Sequence, residues 1–279
     1  MNKYLVKMLP KILGNYVNTL AIISPQAAAK KAFKIFSKPR RGKIGPHHEG
    51  FLKPNLEPAI EINNLKIQPY KWEGGEKTIL LVHGWESHSH RWKEMIGRLK
   101  GENYTIIAFD APAHGYSTGK YLYVPIYHEV LSEVLVRYQP DYMIGHSIGA
   151  MTVLFNQSQT DTYKPEKLVV LGAPDRLDSI LIDYQRILKL NDRVMQALEN
   201  YFQKRFNFKT ADFSSSVFAK NIKTPALIIH DKDDTITPFS GSKSIHATYK
   251  NSEFIETKGL NHSLYDPKVN DQIVDFLKR

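Results

Sequence analysis

The chain has no cysteine among its 279 residues. This absence excludes disulfides, zinc–thiolate sites, iron–sulfur clusters and cysteine nucleophiles, and it fits a reducing compartment such as the cytoplasm, where we expect the protein. Hydrophobic residues make up 42% of the sequence and charged residues 24%, which is enough apolar material for a sizeable core and excludes a wholly disordered chain.

Acidic residues are absent before Glu49. The ten basic residues of this first segment equal the whole net charge of +10, so residues 49–279 are formally neutral. A nucleic-acid-binding protein usually spreads its basic side chains over a folded face. We therefore predict no nucleic-acid partner, and we treat residues 1–48 as a basic N-terminal appendage to a domain formed by residues 49–279.

The appendage is predicted to be helical. Apolar residues recur at spacings of three and four from Leu5 to Ile23, and Pro10 should bend or restart that helix. Ser24 and Pro25 form a cap and first turn for a second helix that ends near Ser37. Residues 40–49 are predicted to form a loop.

The role of the appendage has several interpretations. Its longest uncharged run, residues 12–29, contains Asn, Gln, Ser and Pro, which argues against a membrane span. A cleaved signal peptide is one alternative, because lysines precede an apolar stretch and three alanines follow it. Peripheral contact with anionic membrane is a second. The third is two helices that pack on the main domain with their lysines in solvent.

From residue 56 the pattern predicts an α/β domain. Residues 59–62 and 67–72 should form a short antiparallel pair. Apolar runs that predict buried strands then alternate with helical patterns, which implies right-handed crossovers and a mostly parallel central sheet with helices on both faces. The runs lie at residues 77–83, 104–110, 142–144, 167–172, 226–230 and 253–257.

One interval, at about residues 175–222, breaks this alternation. It contains two helical stripes and seven aromatic residues, so it is a helical insertion between two strands. We predict a lid over a pocket for an apolar acyl or aryl group. The alternative is a small satellite core.

Residues 145–149 (GHSIG) match G-x-S-x-G between a predicted strand and a predicted helix, the context that this motif requires. The sharp turn exposes Ser147 as the candidate nucleophile, and its glycines give room to the turn. The Ile148 N–H is one candidate donor of an oxyanion hole. The side chain of His146 is expected to point away.

A nucleophilic serine needs a base that takes its proton and an acid that orients the base. His262 is the candidate base, because it lies on the loop after the last predicted strand. The acid loop holds Asp231, Asp233 and Asp234; we favour Asp234 and expect the other two to cap the turn or face solvent. The order Ser…Asp…His is the one expected for this motif.

The second oxyanion donor is predicted to be the Trp85 N–H, in the loop after the strand at residues 77–83. His83, His88 and His90 lie close together in sequence, but no carboxylate–histidine set with ligand spacing accompanies them. We therefore predict neither a metal nor another cofactor, and His83 is interpreted as a structural residue of the turn.

These motifs resemble those of serine α/β-hydrolases of the single-domain esterase type, over about residues 56–279. The matching segments are residues 83–85, 110–117, 145–149 and 234–238, together with His262. Two positions depart from the family: Ala113 replaces the usual glycine of D-x-P-G-H-G-x-S, and Asp231 occupies the glycine position of H-G-x-x-D. The first of these turns is structural in the family, so no catalytic residue is placed in doubt.

The resemblance implies an α/β-hydrolase fold with a helical lid. It implies hydrolysis of a small-molecule carboxylic ester or related acyl compound (EC 3.1.1 class) through an acyl-serine intermediate. A serine at the elbow disfavours the epoxide hydrolases and dehalogenases of the family, which use a carboxylate there. The alternative is a non-catalytic binding protein or membrane-surface adaptor on the same scaffold.

Overall fold

The computed structural model of the protein describes residues 3–159 and 163–279, with side chains from residue 8 onward apart from the gap. The chain forms two compact units. One, which we call the helical unit, comprises Met1–Lys38 and Arg176–Ser214. The other, the sheet unit, comprises Pro39–Asp175 and Ser215–Arg279.

From residue 78 onward strands alternate with helices, apart from three successive helices within residues 177–219. In chain order the elements are α1 (Lys3–Ile23), α2 (Pro25–Phe36), α3 (Pro46–Leu52), β1 (Ile60–Ile62), β2 (Leu65–Ile67), β3 (Pro69–Trp72), β4 (Thr78–Val82), α4 (Lys93–Lys100), β5 (Thr105–Phe109), α5 (Val124–Tyr138), β6 (Tyr142–His146), α6 (Ile148–Gln159), β7 (Lys167–Leu171), α7 (Leu177–Leu188), α8 (Asp192–Phe206), α9 (Ser215–Ala219), β8 (Ala226–Asp231), α10 (Phe239–Thr248), β9 (Ser252–Thr257) and α11 (Pro267–Lys278).

A seven-stranded sheet organises the sheet unit, with the strand order β3-β5-β4-β6-β7-β8-β9. Only β3 runs antiparallel to its neighbour; the other strands pair in parallel. The central strands are buried along nearly their whole length, as their continuous apolar runs require. The predicted mostly parallel α/β sheet is confirmed, and it brings the carboxyl ends of β4, β6, β7, β8 and β9 to one edge.

The prediction that residues 59–62 and 67–72 form an antiparallel pair was wrong about which residues pair. Ile60–Ile62 pairs with Leu65–Ile67 in a separate hairpin, while Pro69–Trp72 joins the main sheet beside β5. The cause is the turn at Asn63 and Asn64, which both have positive φ and so form a two-residue hairpin turn. Two consecutive asparagines are a signal for such a turn, because asparagine tolerates positive φ.

Two further differences concern the N-terminal region. The first helix continues through Pro10 rather than restarting there, and the last four residues of the loop predicted at residues 40–49 belong to α3 (Pro46–Leu52). The second helix begins at Pro25 and ends at Phe36, and the Ser24 hydroxyl accepts a hydrogen bond from the Ala27 N–H, as the capping pattern predicts. The side chains of Lys3, Leu5 and Lys7 lie outside the described residues.

In the helical unit, α1 and α2 pack against α7 and α8. The ring of Phe33 on α2 lies 5.2–5.8 Å from the rings of Tyr201, Phe202 and Phe206 on α8. Phe206 and Phe208 stack in turn. Most of the aromatics of the inserted segment thus form the core of this unit, which corresponds to the satellite-core alternative.

The insertion is shorter than its predicted range of residues 175–222. Residues 215–222 belong to the sheet unit, where the Ser215 N–H donates to the Asp175 carbonyl and Phe218 packs on Phe155. The points where the chain leaves and re-enters the sheet unit are therefore hydrogen-bonded to each other. In the part of the chain that the structure describes, no helix is both long and apolar enough to cross a bilayer.

Ala113 adopts a left-handed backbone conformation, with φ of 66°. Its N–H donates to the Thr118 carbonyl, which closes the turn after β5. A side chain with a Cβ atom is strained in this conformation, whereas glycine is not. The left-handed backbone conformation therefore explains why the related motif carries glycine at this position. In this protein the turn accommodates alanine despite the strain.

We expect Ala113→Gly to raise the free energy of unfolding relative to the matched variant Ala111→Gly by about 1–2 kcal/mol, because only the first substitution relieves left-handed strain. Ala111 lies in the same turn, is buried and is not in the positive-φ region. Urea unfolding of both variants and the parent measures the difference. Equal losses in the two variants would show that Ala113 is not strained.

Candidate active site

Ser147 lies at the elbow between β6 and α6. Its backbone is left-handed, with φ of 56°. A Cβ on Gly145 would lie 2.7 Å from the Ala150 Cα, and one on Gly149 would lie 2.4 Å from the Val82 carbonyl oxygen, so both positions exclude larger residues. The turn can be this sharp only with glycine on both sides, and it holds the serine in a single orientation.

His262 lies in a short 3-10 turn (Asn261–Ser263) after β9, and its ring reaches Ser147. Its Nε2 atom is 2.9 Å from the Ser147 Oγ atom. Its Nδ1 atom is 2.8 Å from Oδ2 of Asp234. Because the carboxylate accepts the proton on Nδ1, Nε2 is left with its lone pair toward the serine hydroxyl. The structure therefore brings the three candidate catalytic side chains into one hydrogen-bonded line.

Asp234 is held as a carboxylate by its surroundings. Burial alone would raise its pKa, but hydrogen bonds from His230, His262 and Thr237 outweigh that effect and hold the pKa well below its usual value. Its Oδ1 atom accepts from the Ile236 and Thr237 N–H groups, at 2.8 and 2.9 Å. The acid thus keeps its charge from acidic to neutral pH, the state in which it orients an imidazole.

Two residues that the sequence analysis did not assign also contact Asp234. The Thr237 hydroxyl lies 2.7 Å from Oδ2 and 3.1 Å from the Nδ1 atom of His262. His230 is fully buried at the end of β8, and its Nε2 atom lies 3.1 Å from the same oxygen. The available signals were a histidine that ends an apolar strand and a hydroxyl residue three positions after the acid.

The neighbouring aspartates have different roles. Asp231 is buried, and its Oδ2 atom accepts from the Thr257 hydroxyl and the Leu260 N–H, which anchors the loop that carries His262. Asp233 is exposed and accepts from the Gly259 N–H. Both stabilise turns, and neither is hydrogen-bonded to His262.

The expectation that His146 points away was wrong. Its ring centroid lies 4.8 Å from that of His262, and its Nε2 atom lies 2.7 Å from the His262 carbonyl oxygen, to which it donates. Burial lowers the pKa of His146 well below its usual value, so the ring is neutral at neutral pH. This contact joins the elbow to the backbone of the candidate base, and it depends on a tertiary approach that the pentapeptide alone does not indicate.

The predicted oxyanion donors belong to segments that meet at Ser147. A Cβ on Gly84 would lie 2.9 Å from the Ser147 Cβ atom, so the loop that carries Trp85 passes directly against the serine. Among the residues that the structure describes, neither the Trp85 nor the Ile148 N–H donates to a protein acceptor. Both groups are therefore available to a ligand beside Ser147.

His83 and Asp110 hold the loops that frame the serine. His83 is buried; its Nε2 atom accepts from the Ala111 N–H, and its Nδ1–H donates to the Gly84 carbonyl. Asp110 accepts hydrogen bonds from Tyr70, Ser89 and Tyr116. The structural interpretation of His83 fits these contacts. Within residues 3–159 and 163–279, no group of three or more His, Asp or Glu side chains is arranged to hold a metal ion.

A serine at a strand-to-helix elbow, on a mostly parallel sheet with helical crossovers, defines the class of α/β-hydrolases. The model of the serine aminopeptidase S33 family matches residues 75–215, half of the chain. The chain belongs to this family.

The chain is also similar to individual proteins. A candidate esterase/lipase of Mycoplasma pneumoniae is 25% identical over 240 residues, which span 71% of this chain and 88% of that protein. The lysophosphatidylserine lipase ABHD12 of Danio rerio is 22% identical, with 96% of this chain and 82% of that protein covered. The structure of a monoacylglycerol lipase of Paleococcus ferrophilus has a TM-score of 0.59 at 22% identity, covering 76% and 98% of the two chains.

We expect Asp234→Asn to lower turnover by about 10³–10⁴-fold, because the amide no longer holds the His262 tautomer or stabilises its cation. Asp233→Asn is the matched control, since Asp233 is exposed and does not contact His262; its turnover should stay within about twofold of the parent. Steady-state kinetics of both variants and the parent with the same ester measure these turnover rates. An active Asp234→Asn variant would assign the acid to another residue.

We expect His146→Leu to lower kcat by about 10- to 100-fold with little change in KM, because the His262 backbone loses its anchor while the substrate contacts remain. His146→Gln keeps a donor at a similar reach and should recover a large part of kcat. If His146 had a purely structural role, both variants would lose the same thermal stability and would have the same kcat. That result would contradict the positioning role.

Proposed function

We propose that the protein is a serine hydrolase that cleaves a carboxylic ester or related acyl compound through an acyl-serine intermediate. The observation that supports this most directly is the line of hydrogen bonds from Ser147 through His262 to the buried carboxylate of Asp234. Membership of a family named for serine aminopeptidases and similarity to proteins named as lipases support the same class of reaction.

In the acylation step, Ser147 Oγ attacks the acyl carbonyl carbon as its proton passes to Nε2 of His262. The carbonyl oxygen becomes an oxyanion, to which the Trp85 and Ile148 N–H groups donate. The tetrahedral intermediate then breaks the bond to the leaving group, which takes the proton from Nε2. The products are an acyl ester on Ser147 and a free alcohol.

In the deacylation step, a water molecule gives its proton to the neutral His262 ring as its oxygen attacks the acyl-serine carbon. The second tetrahedral intermediate expels Ser147 Oγ, which takes the proton back from Nε2. The products are a carboxylic acid and the free enzyme. Asp234 keeps its charge throughout and stabilises the imidazolium that forms in both steps.

We propose an apolar acyl or aryl group as the substrate's acyl part. Relatives named as a lysophosphatidylserine lipase and a monoacylglycerol lipase support this, because both names describe lipid substrates. The aromatic residues of the insertion do not add to that support, since Phe202, Phe206 and Phe208 pack on one another.

We propose that the inserted helices act as the lid of this hydrolase. Their attachment supports the proposal: the chain leaves the sheet unit at Asp175, close after Gly172, whose carbonyl oxygen lies 3.1 Å from the Thr237 hydroxyl of the candidate site. The inserted segment therefore leaves the sheet at the edge that carries the candidate site. α/β-hydrolases vary the segments at this place in the chain, and these segments control substrate access.

We expect Ser147→Ala to lose covalent labelling by a fluorophosphonate probe and to lower turnover of p-nitrophenyl esters by about 10⁴-fold or more, because the variant removes the hydroxyl that lies 2.9 Å from Nε2 of His262. The probe reports an activated serine without a known substrate. A panel of p-nitrophenyl esters with acyl chains of increasing length, together with an aminoacyl p-nitroanilide, then distinguishes esterase from aminopeptidase activity.

Ser240→Ala is the control, because Ser240 is an exposed serine on α10 of the same unit. It should label and turn over like the parent. Unchanged labelling of Ser147→Ala would refute the nucleophile. A parent protein that neither labels nor turns over any ester or anilide would favour the non-catalytic alternative.

A further inference from the structure

The outward face of α1 carries an unusual set of exposed apolar side chains. At 3.6 residues per turn they project within about 100° of one another, opposite the buried Gly14, Val17 and Ala21. Their exposed fractions run from 44% to 82%. We call this face the apolar stripe; its residues are Met8, Leu9, Ile12, Tyr16 and Ile23.

Contacts on the opposite side of α1 fix its rotation. A Cβ on Gly14 would lie 1.7 Å from the Leu188 carbonyl oxygen, so this face of α1 lies in backbone contact with the end of α7. Asn18 donates to the Lys189 carbonyl and accepts from the Asn191 N–H, both at 2.9 Å. Within the helical unit α1 therefore cannot turn its apolar stripe inward without losing these contacts.

The helical unit also carries nearly all of the protein's excess charge. Its two segments hold fourteen basic and five acidic residues, a formal charge of +9 out of the total of +10. Lys30 and Lys34 of α2 are exposed, and the Lys31 ammonium lies 5.4 Å from the ring centroid of Tyr16 in the stripe. Lys31 thus lies at the border of the apolar stripe, and two more lysines are exposed on the same helix of this compact unit.

We propose that the apolar stripe docks on the surface of an anionic lipid bilayer, with α1 in the plane of the interface. An interfacial helix buries its apolar face at the level of the headgroups, while adjacent lysines pair with anionic lipids. A second copy of this chain is a poorer occupant, because it would bring another charge of +9 against the same face. The proposal does not depend on the proposed catalytic activity.

The experiment is sedimentation of the full chain with sucrose-loaded vesicles. One set consists of phosphatidylcholine alone, and the other contains about 30% phosphatidylglycerol. We expect binding to the anionic vesicles to exceed binding to the neutral ones by about tenfold or more, and to weaken at high salt because screening shortens the reach of the lysines.

The double variant Ile12→Asp/Tyr16→Asp tests the stripe. It places two carboxylates at positions that are more than half exposed, and we expect binding to fall by about tenfold or more. The matched control is Val136→Asp, an exposed apolar position on α5 of the sheet unit, which should bind like the parent. A second variant, Lys30→Gln/Lys31→Gln/Lys34→Gln, should lose the preference for anionic lipid while keeping the helix.

Circular dichroism and thermal unfolding establish that each variant is folded, and light scattering gives the oligomeric state. Loss of vesicle binding in the stripe and lysine variants, with Val136→Asp unchanged, supports the proposal. It is overturned if the parent does not bind anionic vesicles, or if the folded stripe variant binds as well as the parent. A parent dimer that the stripe variant turns into a monomer, without vesicle binding, would overturn it in favour of self-association.

Discussion

The buried carboxylate of Asp234 is the constraint on which the rest of the candidate site depends. Its side chain is 1% exposed, and a charged carboxyl survives there only because hydrogen bonds replace water. Those bonds come from the turn after β8, from His230 at the end of that strand, and from His262 after β9. One buried charge thus orders two loops, fixes the imidazole tautomer and directs its free nitrogen at Ser147.

The parts of this arrangement that could be predicted from the sequence have local signals. Continuous apolar runs identify the parallel strands, and the GHSIG turn identifies the elbow because its geometry requires glycine on both sides. The spacing of the H-G-x-x-D motif, counted from His230, selects Asp234 among three aspartates. In the structure Asp231 instead accepts a hydrogen bond from the Leu260 N–H. The contact of His146 with the His262 carbonyl could not be predicted, because it joins segments that meet only after the sheet has formed. Thr237 and His230 lie within four residues of Asp234, so their contacts with it have local signals.

The helical unit shows a second limit of sequence reasoning. The aromatic spacing of residues 194–208 predicts a helix with an apolar face, which α8 has, but it does not identify the partner of that face. The partner is Phe33, more than 150 residues earlier in the chain. The N-terminal helices and the inserted helices each have too little apolar surface to form a core alone, so they become one compact unit by packing together.

The separation of charge from chemistry has a consequence for both proposals. The candidate catalytic residues and the loops that hold them belong to the sheet unit, which is left with a formal charge near zero once the helical unit takes +9 of the total. The apolar stripe and its lysines belong entirely to the helical unit. The proposed hydrolysis of a small ester uses catalytic side chains of the sheet unit, whereas an amphiphilic acyl compound in a bilayer would be concentrated by the proposed docking face of the helical unit. If both proposals hold, substitutions in the stripe act on substrates that reside in lipid and leave the hydrolysis of soluble esters unchanged. The lysines proposed to attract the membrane and the carboxylate proposed to activate the serine belong to different parts of the chain.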